Sequence, residues 1–224
     1  MKAKNRRNGR KDIQFYYDQE LVLAFRKIHS LEHLPELYMQ CLLVRFFWGT
    51  AVRINEARML KIEDCGPDFF TVREGKNKKS RDVEPTPEFK PYYQAHVERC
   101  RREGRTWFFW PVRKYGAFRQ AKDDHMSVRA LRNWWREIID AAGIRYLPPH
   151  DGGRNTWITW YAETMQRQDL QDQVGHEDYR TTELYYRGSI PGRRFSKPEP
   201  EWKKLAQMPE AEEKLRVIQG GKTC

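Results

Sequence analysis

Cysteine is scarce and scattered. Cys41, Cys65, Cys100 and Cys224 form no CxxC pair. That spacing lacks the usual zinc-ligand patterns, argues against a disulfide framework and points to a reducing compartment. Long apolar runs are missing as well. The longest, 37–44 and 46–52, are split by Arg45, and neither approaches the roughly 18 residues a membrane span needs. A secretory signal is missing too, because no apolar segment follows the basic N-terminus. There is no phosphate-binding glycine loop of the GxxxxGK type and no metal-ligand cluster.

What is present is positive charge on a folded chain. The 224 residues hold 42 Lys and Arg against 31 Asp and Glu, a formal net charge of +11. One-third of the residues are charged, which by itself suggests disorder. Thirty aromatics (8 Trp, 11 Tyr and 11 Phe) oppose that reading, because disordered chains are poor in them. A basic folded domain points to a polyanionic partner, DNA before RNA, and a membrane surface last.

Residues 1–11 carry six Lys and Arg, and residues 1–12 read as a flexible basic arm. Within it Arg6, Arg7, Arg10 and Lys11 are candidate phosphate contacts. Leu21, Ala24, Phe25 and Ile28 then follow one helical face. Pro35 stands where a second helix could start, Gly49 is expected to break that helix, and a short third helix is expected over 55–60. Phe69–Arg73 and 81–84 read as strands of a β-hairpin with a lysine-rich tip. Helices return over 89–102, after the Ser127 cap and after Pro148-Pro149, with Gly143 closing the second. The tail, 188–224, holds one helical candidate, 202–218.

Four segments carry the chemistry. They are Gly49-Thr-Ala-Val-Arg53-Ile-Asn-Glu56, Gly75-Lys76-Asn-Lys78-Lys79-Ser-Arg81, His150-Asp151-Gly-Gly-Arg154-Asn155, and Gly175-His176 followed nine residues later by Tyr185. In this order they resemble the catalytic domain of the tyrosine recombinases of the lambda-integrase type. That family reads TGxRxxE, a GKGxKxR hairpin, HxxR, then GH with a tyrosine nine residues on. The resemblance runs from about residue 13 to 187. It implies a mainly α fold with a small β-hairpin or sheet, the fold of DNA breaking-rejoining enzymes. It implies site-specific DNA recombination through a 3′-phosphotyrosine, without metal or cofactor, for integration, excision or inversion of a mobile element.

The residues support that chemistry on physical grounds. Phosphoryl transfer needs positive groups on the non-bridging oxygens, an activated nucleophile and a protonated leaving group. Arginine is a planar, always-charged, bidentate phosphate donor, and Arg53 and Arg154 match the family's pair. Tyr185 matches the nucleophile, with Tyr186 its neighbouring competitor. His150 and His176 match the proton-handling histidines. Lys76 matches the lysine that protonates the leaving 5′ oxygen, with Lys79 as rival. Glu56 is expected to orient Arg53 or a helix end, and Asp151 to cap a helix. Lys78 and Arg81 are candidate DNA contacts.

Two departures stand out. His150 and Arg154 are one residue farther apart than HxxR allows, and Gly152-Gly153 offer room for the extra residue to bulge. Asn155 stands where the family often has a second histidine. The 52 residues before Arg53 also leave no room for the family's N-terminal core-binding domain. The expected partners are therefore double-stranded DNA, further copies of the chain in a synaptic tetramer (monomeric when free) and an accessory DNA-bending or clamp protein. The helix at 202–218 is expected to dock onto a neighbouring protomer. The expected location is the cytoplasm, on DNA. The rival functions are a catalytically impaired DNA-binding relative that assists a full-length recombinase, and a type IB topoisomerase or telomere resolvase.

Overall fold

The computed structural model describes residues 13–73, 80–111, 124–162, 164–187 and 200–207. The arm residues Arg6, Arg7, Arg10 and Lys11 and the hairpin-tip residues Lys76, Lys78 and Lys79 lie outside them.

The fold is built around a buried helix. α1 (Asp18–Leu31) is amphipathic and turns Leu21, Ala24, Phe25 and Ile28 inward. α2 (Tyr38–Thr50) is apolar on every face, and Met39 to Thr50 are all buried. A helix without a polar face belongs in the centre of a domain, and α2 packs against α1, α4 (Lys90–Arg102), α5 (Val128–Ala141) and α6 (Thr156–Tyr161). Its one charge, Arg45, is paired rather than exposed. Arg45 Nη2 lies 3.0 Å from Glu32 Oε2 and its guanidinium stacks 4.2 Å over Tyr92, as a buried charge requires.

The helices are punctuated by local chemistry. Ser127 Oγ accepts from the Ala130 amide at the start of α5, satisfying one of the free first-turn donors. Gly143, at φ +68°, follows the C-cap of the same helix. β1 (Phe70–Val72) and β2 (Arg81–Val83) form a two-stranded antiparallel sheet, with Phe70 opposite Val83 and Val72 opposite Arg81. Phe70 stacks on Phe46 of α2 at 5.6 Å, which ties the sheet to the core.

Some boundaries move. The second helix starts at Tyr38, after turns that include Pro35. Gly49 lies within α2 instead of ending it; a Cβ there would sit 2.4 Å from Phe89 Cβ, so it is a contact glycine rather than a breaker. α3 is Ile54–Arg58. α7 (Arg167–Val174) and α8 (Tyr179–Arg187) carry the last motif. α9 (Glu201–Ala206) rests on its own chain: Trp202 stacks on Phe25 at 6.1 Å, and Arg45 Nη1 donates to Ala206 O at 3.1 Å. Among the described residues no helix is long and apolar enough to cross a membrane.

The three described cysteines, Cys41, Cys65 and Cys100, are free and buried.

Candidate active site

The stretch from Pro149 to Asn155 is not α-helical but a π-turn that runs directly into α6. A π-turn accommodates one additional residue in a helix. It absorbs the extra residue between His150 and Arg154. The two glycines serve contact rather than looseness. A Cβ on Gly152 would lie 2.6 Å from Tyr16 Cε2 and 2.9 Å from Trp135 Cζ2, and one on Gly153 would lie 2.9 Å from Phe47 Cβ. Trp48 Nε1 donates to Gly152 O at 2.7 Å and pins the turn to α2.

Arg154 leaves this turn and is buried, with 1% of its surface exposed. Its Nη1 donates to Ala51 O at 2.7 Å and its Nη2 to Val174 O at 2.6 Å, so it bridges the end of α2 and the end of α7. Arg53 comes from the N-cap of α3, and its Nη2 donates to Gly175 O at 3.3 Å. The two guanidinium groups thus meet neighbouring carbonyls of one backbone bend. That bend exists because Gly175 is in the left-handed region, φ +65°, ending α7.

Glu56 is the carboxylate of the cluster. It accepts from the Arg53 amide at 2.8 Å and from Arg53 Nη1 at 2.9 Å. Arg81 grips it with both terminal nitrogens, at 3.1 and 2.8 Å. Arg81 Nε goes to Gln173 O at 3.2 Å. Arg81, expected as a DNA contact, lies on a strand packed against α7, and all three of its nitrogens donate to protein oxygens. Burial pushes the Glu56 carboxyl up, but hydrogen bonds and charge from Arg81 and Arg53 outweigh it and hold it at about 2.

Charge is left over. Burial, then the positive charges of Arg53 and Arg81, pull Arg154 down to about 9, with Glu56 opposing. It stays charged at neutral pH. Three guanidinium groups share one carboxylate, and a bound anion would offset the excess.

Tyr185 and His176 stand over this cluster. Their rings stack at 6.2 Å. Tyr185 is buried and its hydroxyl donates to Asn155 Oδ1 at 2.6 Å. Burial pushes the Tyr185 phenol up to about 12; Arg154 and Arg53 pull it down and Asp151 pushes it up. Burial, then Arg154 and Arg53, hold His176 at about 3, so its ring is neutral. His176 Nδ1 lies 3.1 Å from Thr182 Oγ1. His150 is open to solvent, 65% exposed in its side chain, with Nδ1 donating to Asp151 Oδ1 at 3.1 Å. Tyr186 points elsewhere: its hydroxyl donates to Met165 O at 3.2 Å, and Arg167 stacks on its ring.

Arg53, Glu56, Arg81, Arg154, His176 and Tyr185 therefore share one centre, with His150 and Asp151 at its rim. Sequence reasoning gave Asn155 no role and passed over Thr182. Thr182 carries no signal of its own, because a Thr in a helix is ordinary until its partner is known; the one signal at Asn155 was its place, where the family often has a second histidine.

Residues 22–189 match the phage integrase family. The chain belongs to that family. It is 25% identical to the tyrosine recombinase XerC of Oceanobacillus iheyensis over 148 residues, covering 64% of this chain and 47% of that protein. It is 28% identical to the tyrosine recombinase XerA of Pyrococcus furiosus over 149 residues, covering 65% of this chain and 49% of that protein. This phage integrase chain spans about half the length of the curated relatives it matches. Its fold is that of the XerH site-specific recombinase crystallised with difH substrate in a pre-cleavage complex, at a TM-score of 0.57 and 24% identity, covering 77% of this chain and 50% of that one. The mainly α fold with a small β-sheet is thus the recombinase catalytic-domain fold.

Proposed function

We propose that this phage integrase domain cleaves and rejoins double-stranded DNA through a covalent 3′-phosphotyrosine on Tyr185. The observation that carries the reading is the guanidinium-rich centre, Arg53 and Arg154 on adjacent carbonyls with one carboxylate between three arginines, lying against a buried tyrosine. Such a centre is short of negative charge in its resting state, and a phosphodiester supplies it.

In the proposed step the Tyr185 oxygen attacks phosphorus and the bond to the 5′ oxygen breaks. The phenol loses one proton and the leaving oxygen gains one, so the step is neutral overall. Attack by the 5′ hydroxyl of another strand reverses it and rejoins DNA. Arg53 and Arg154 hold the non-bridging oxygens. Bound phosphate offsets the arginine charges that help keep the His176 ring neutral: it raises His176 toward its ordinary value, so His176 can donate a hydrogen bond or proton at the reacting phosphate, while Arg154 and Arg53 pull the Tyr185 phenol down against its burial. Lys76, with Lys79 as rival, is assigned to the leaving oxygen. Arg6, Arg7, Arg10, Lys11 and Lys78 are assigned to backbone phosphates. Copies of the chain assemble on DNA in the cytoplasm, with a clamp or bending partner, as part of the same proposal.

The reading of a catalytically impaired relative is not favoured, because the π-turn absorbs the extra residue while Arg154 stays beside Arg53 and Tyr185. The test is covalent trapping. Nicked duplexes tiled from the gene's own neighbourhood are incubated with the protein and resolved on a denaturing gel. A protein–DNA adduct supports the reading; DNA bound with no adduct on any duplex contradicts it.

A further inference from the structure

The π-turn does more than deliver an arginine. Asn155, the residue after Arg154, is 5% exposed and joins two partners of opposite kind. Its Nδ2 donates to Asp151 Oδ1 at 2.9 Å, and its Oδ1 accepts from the Tyr185 hydroxyl at 2.6 Å. Asp151 Oδ1 also accepts from His150 Nδ1. A carboxylate only accepts, so Asp151 decides which end of the Asn155 amide faces it. The amide oxygen must then face Tyr185, and Tyr185 must be the donor. A flipped amide would set oxygen against carboxylate oxygen on one side.

We propose that Asn155 is a positioning residue for the nucleophile: Asp151 orients its amide, and the amide fixes the Tyr185 hydroxyl relative to the arginine on the preceding residue. Resting on the reading of Tyr185 as nucleophile, this adds a residue that holds the attacking oxygen while touching neither phosphate nor leaving group. Arg154 and Asn155 are consecutive on one rigid turn, which Trp48 anchors through Gly152 O and Thr156 anchors through the Tyr16 amide. The distance between the phosphate site and the attacking oxygen is therefore set within two residues. With its hydrogen committed to Asn155, the phenol presents its lone pairs away from the turn. An amide carbonyl is too weak a base to remove the phenol proton, so Asn155 orients the nucleophile and does not deprotonate it.

The test has two arms. The first is the single-turnover rate of adduct formation at saturating DNA, on the nicked duplex that gives the wild-type adduct. Asn155→Ala slows adduct formation by on the order of tenfold to a hundredfold, the scale of a misplaced reacting group, with DNA affinity unchanged. Asn155→Asp, which keeps an acceptor oxygen toward Tyr185 and shares one proton with Asp151, restores most of the rate. Asn155→Ala reacting like wild type, or Asn155→Asp as slow as Asn155→Ala with both folded, overturns the inference.

The second arm needs no DNA chemistry. Asn155→Ala lowers the thermal midpoint of the wild-type chain by more than that of the Tyr185→Phe chain, because the second has no hydroxyl to lose. Equal shifts in the two backgrounds overturn the contact. Absence of any wild-type adduct would instead be the failure of the proposed phosphotyrosine function, and the thermal cycle still decides whether Asn155 holds Tyr185.

Discussion

At the scale of single residues, the site depends on backbone positions as much as on side chains. Ala51 has φ +56°, the only left-handed non-glycine among the described residues, and it ends α2 two residues before Arg53. The family's pattern has glycine there. A left-handed alanine costs about 1 to 2 kcal/mol, and the greater freedom of an unfolded glycine returns part of it. Ala51→Gly should therefore raise stability by roughly 0.5–1 kcal/mol, read as a higher thermal midpoint. Glu56 runs the other way. It is 5% exposed and joins Arg53 to Arg81. Glu56→Ala leaves guanidinium groups uncompensated and should destabilise the fold by about 3 kcal/mol, measured by denaturant unfolding.

The arginines and Tyr185 were legible as residues because a spacing of four motifs fixes them. Arg81 was legible as basic but not as inward-facing. Its partner Glu56 lies 25 positions earlier, and only the packing of β2 on α7 brings the two together with Gln173.

At the scale of elements, periodicity and caps identified α1, α4 and α5 closely, down to Ser127 and Gly143. The π-turn was not legible, because no composition separates a π-turn from an α-turn; only the one-residue excess between His150 and Arg154 hinted at it. The double glycine invited a reading of looseness, yet both positions press ring atoms. Gly152→Ala forces Tyr16 and Trp135 apart and should cost about 1 to 3 kcal/mol. It should also slow adduct formation, since Arg154 and Asn155 hang from that turn. An unchanged unfolding midpoint would contradict the packing account.

At the scale of the whole molecule, two histidines link stability to pH. Burial holds His96 at about 4, where it sits against Phe108 O and the Tyr38 hydroxyl, and holds His176 at about 3. The unfolded chain takes up these protons near 6.5, whereas the fold resists them. Their contribution to stability is thus fully present above pH 6.5, and it is lost as pH falls through 4 and then 3. Denaturant midpoints should fall steadily over that window, and His176→Asn should flatten the dependence. DNA changes the sign locally: a bound phosphate offsets Arg53 and Arg154, so the His176 ring should titrate at higher pH in the complex, followed by NMR.

The central claim is that Tyr185, and not its neighbour, carries DNA on phosphorus held by Arg53 and Arg154. The most direct measurement is mass spectrometry of the trapped adduct after nuclease and protease digestion, with Tyr185→Phe and Tyr186→Phe alongside. A nucleotide phosphate on the Tyr185 peptide, lost in Tyr185→Phe and kept in Tyr186→Phe, is the predicted result. A nucleotide on Tyr186, or an adduct that survives Tyr185→Phe, would contradict it.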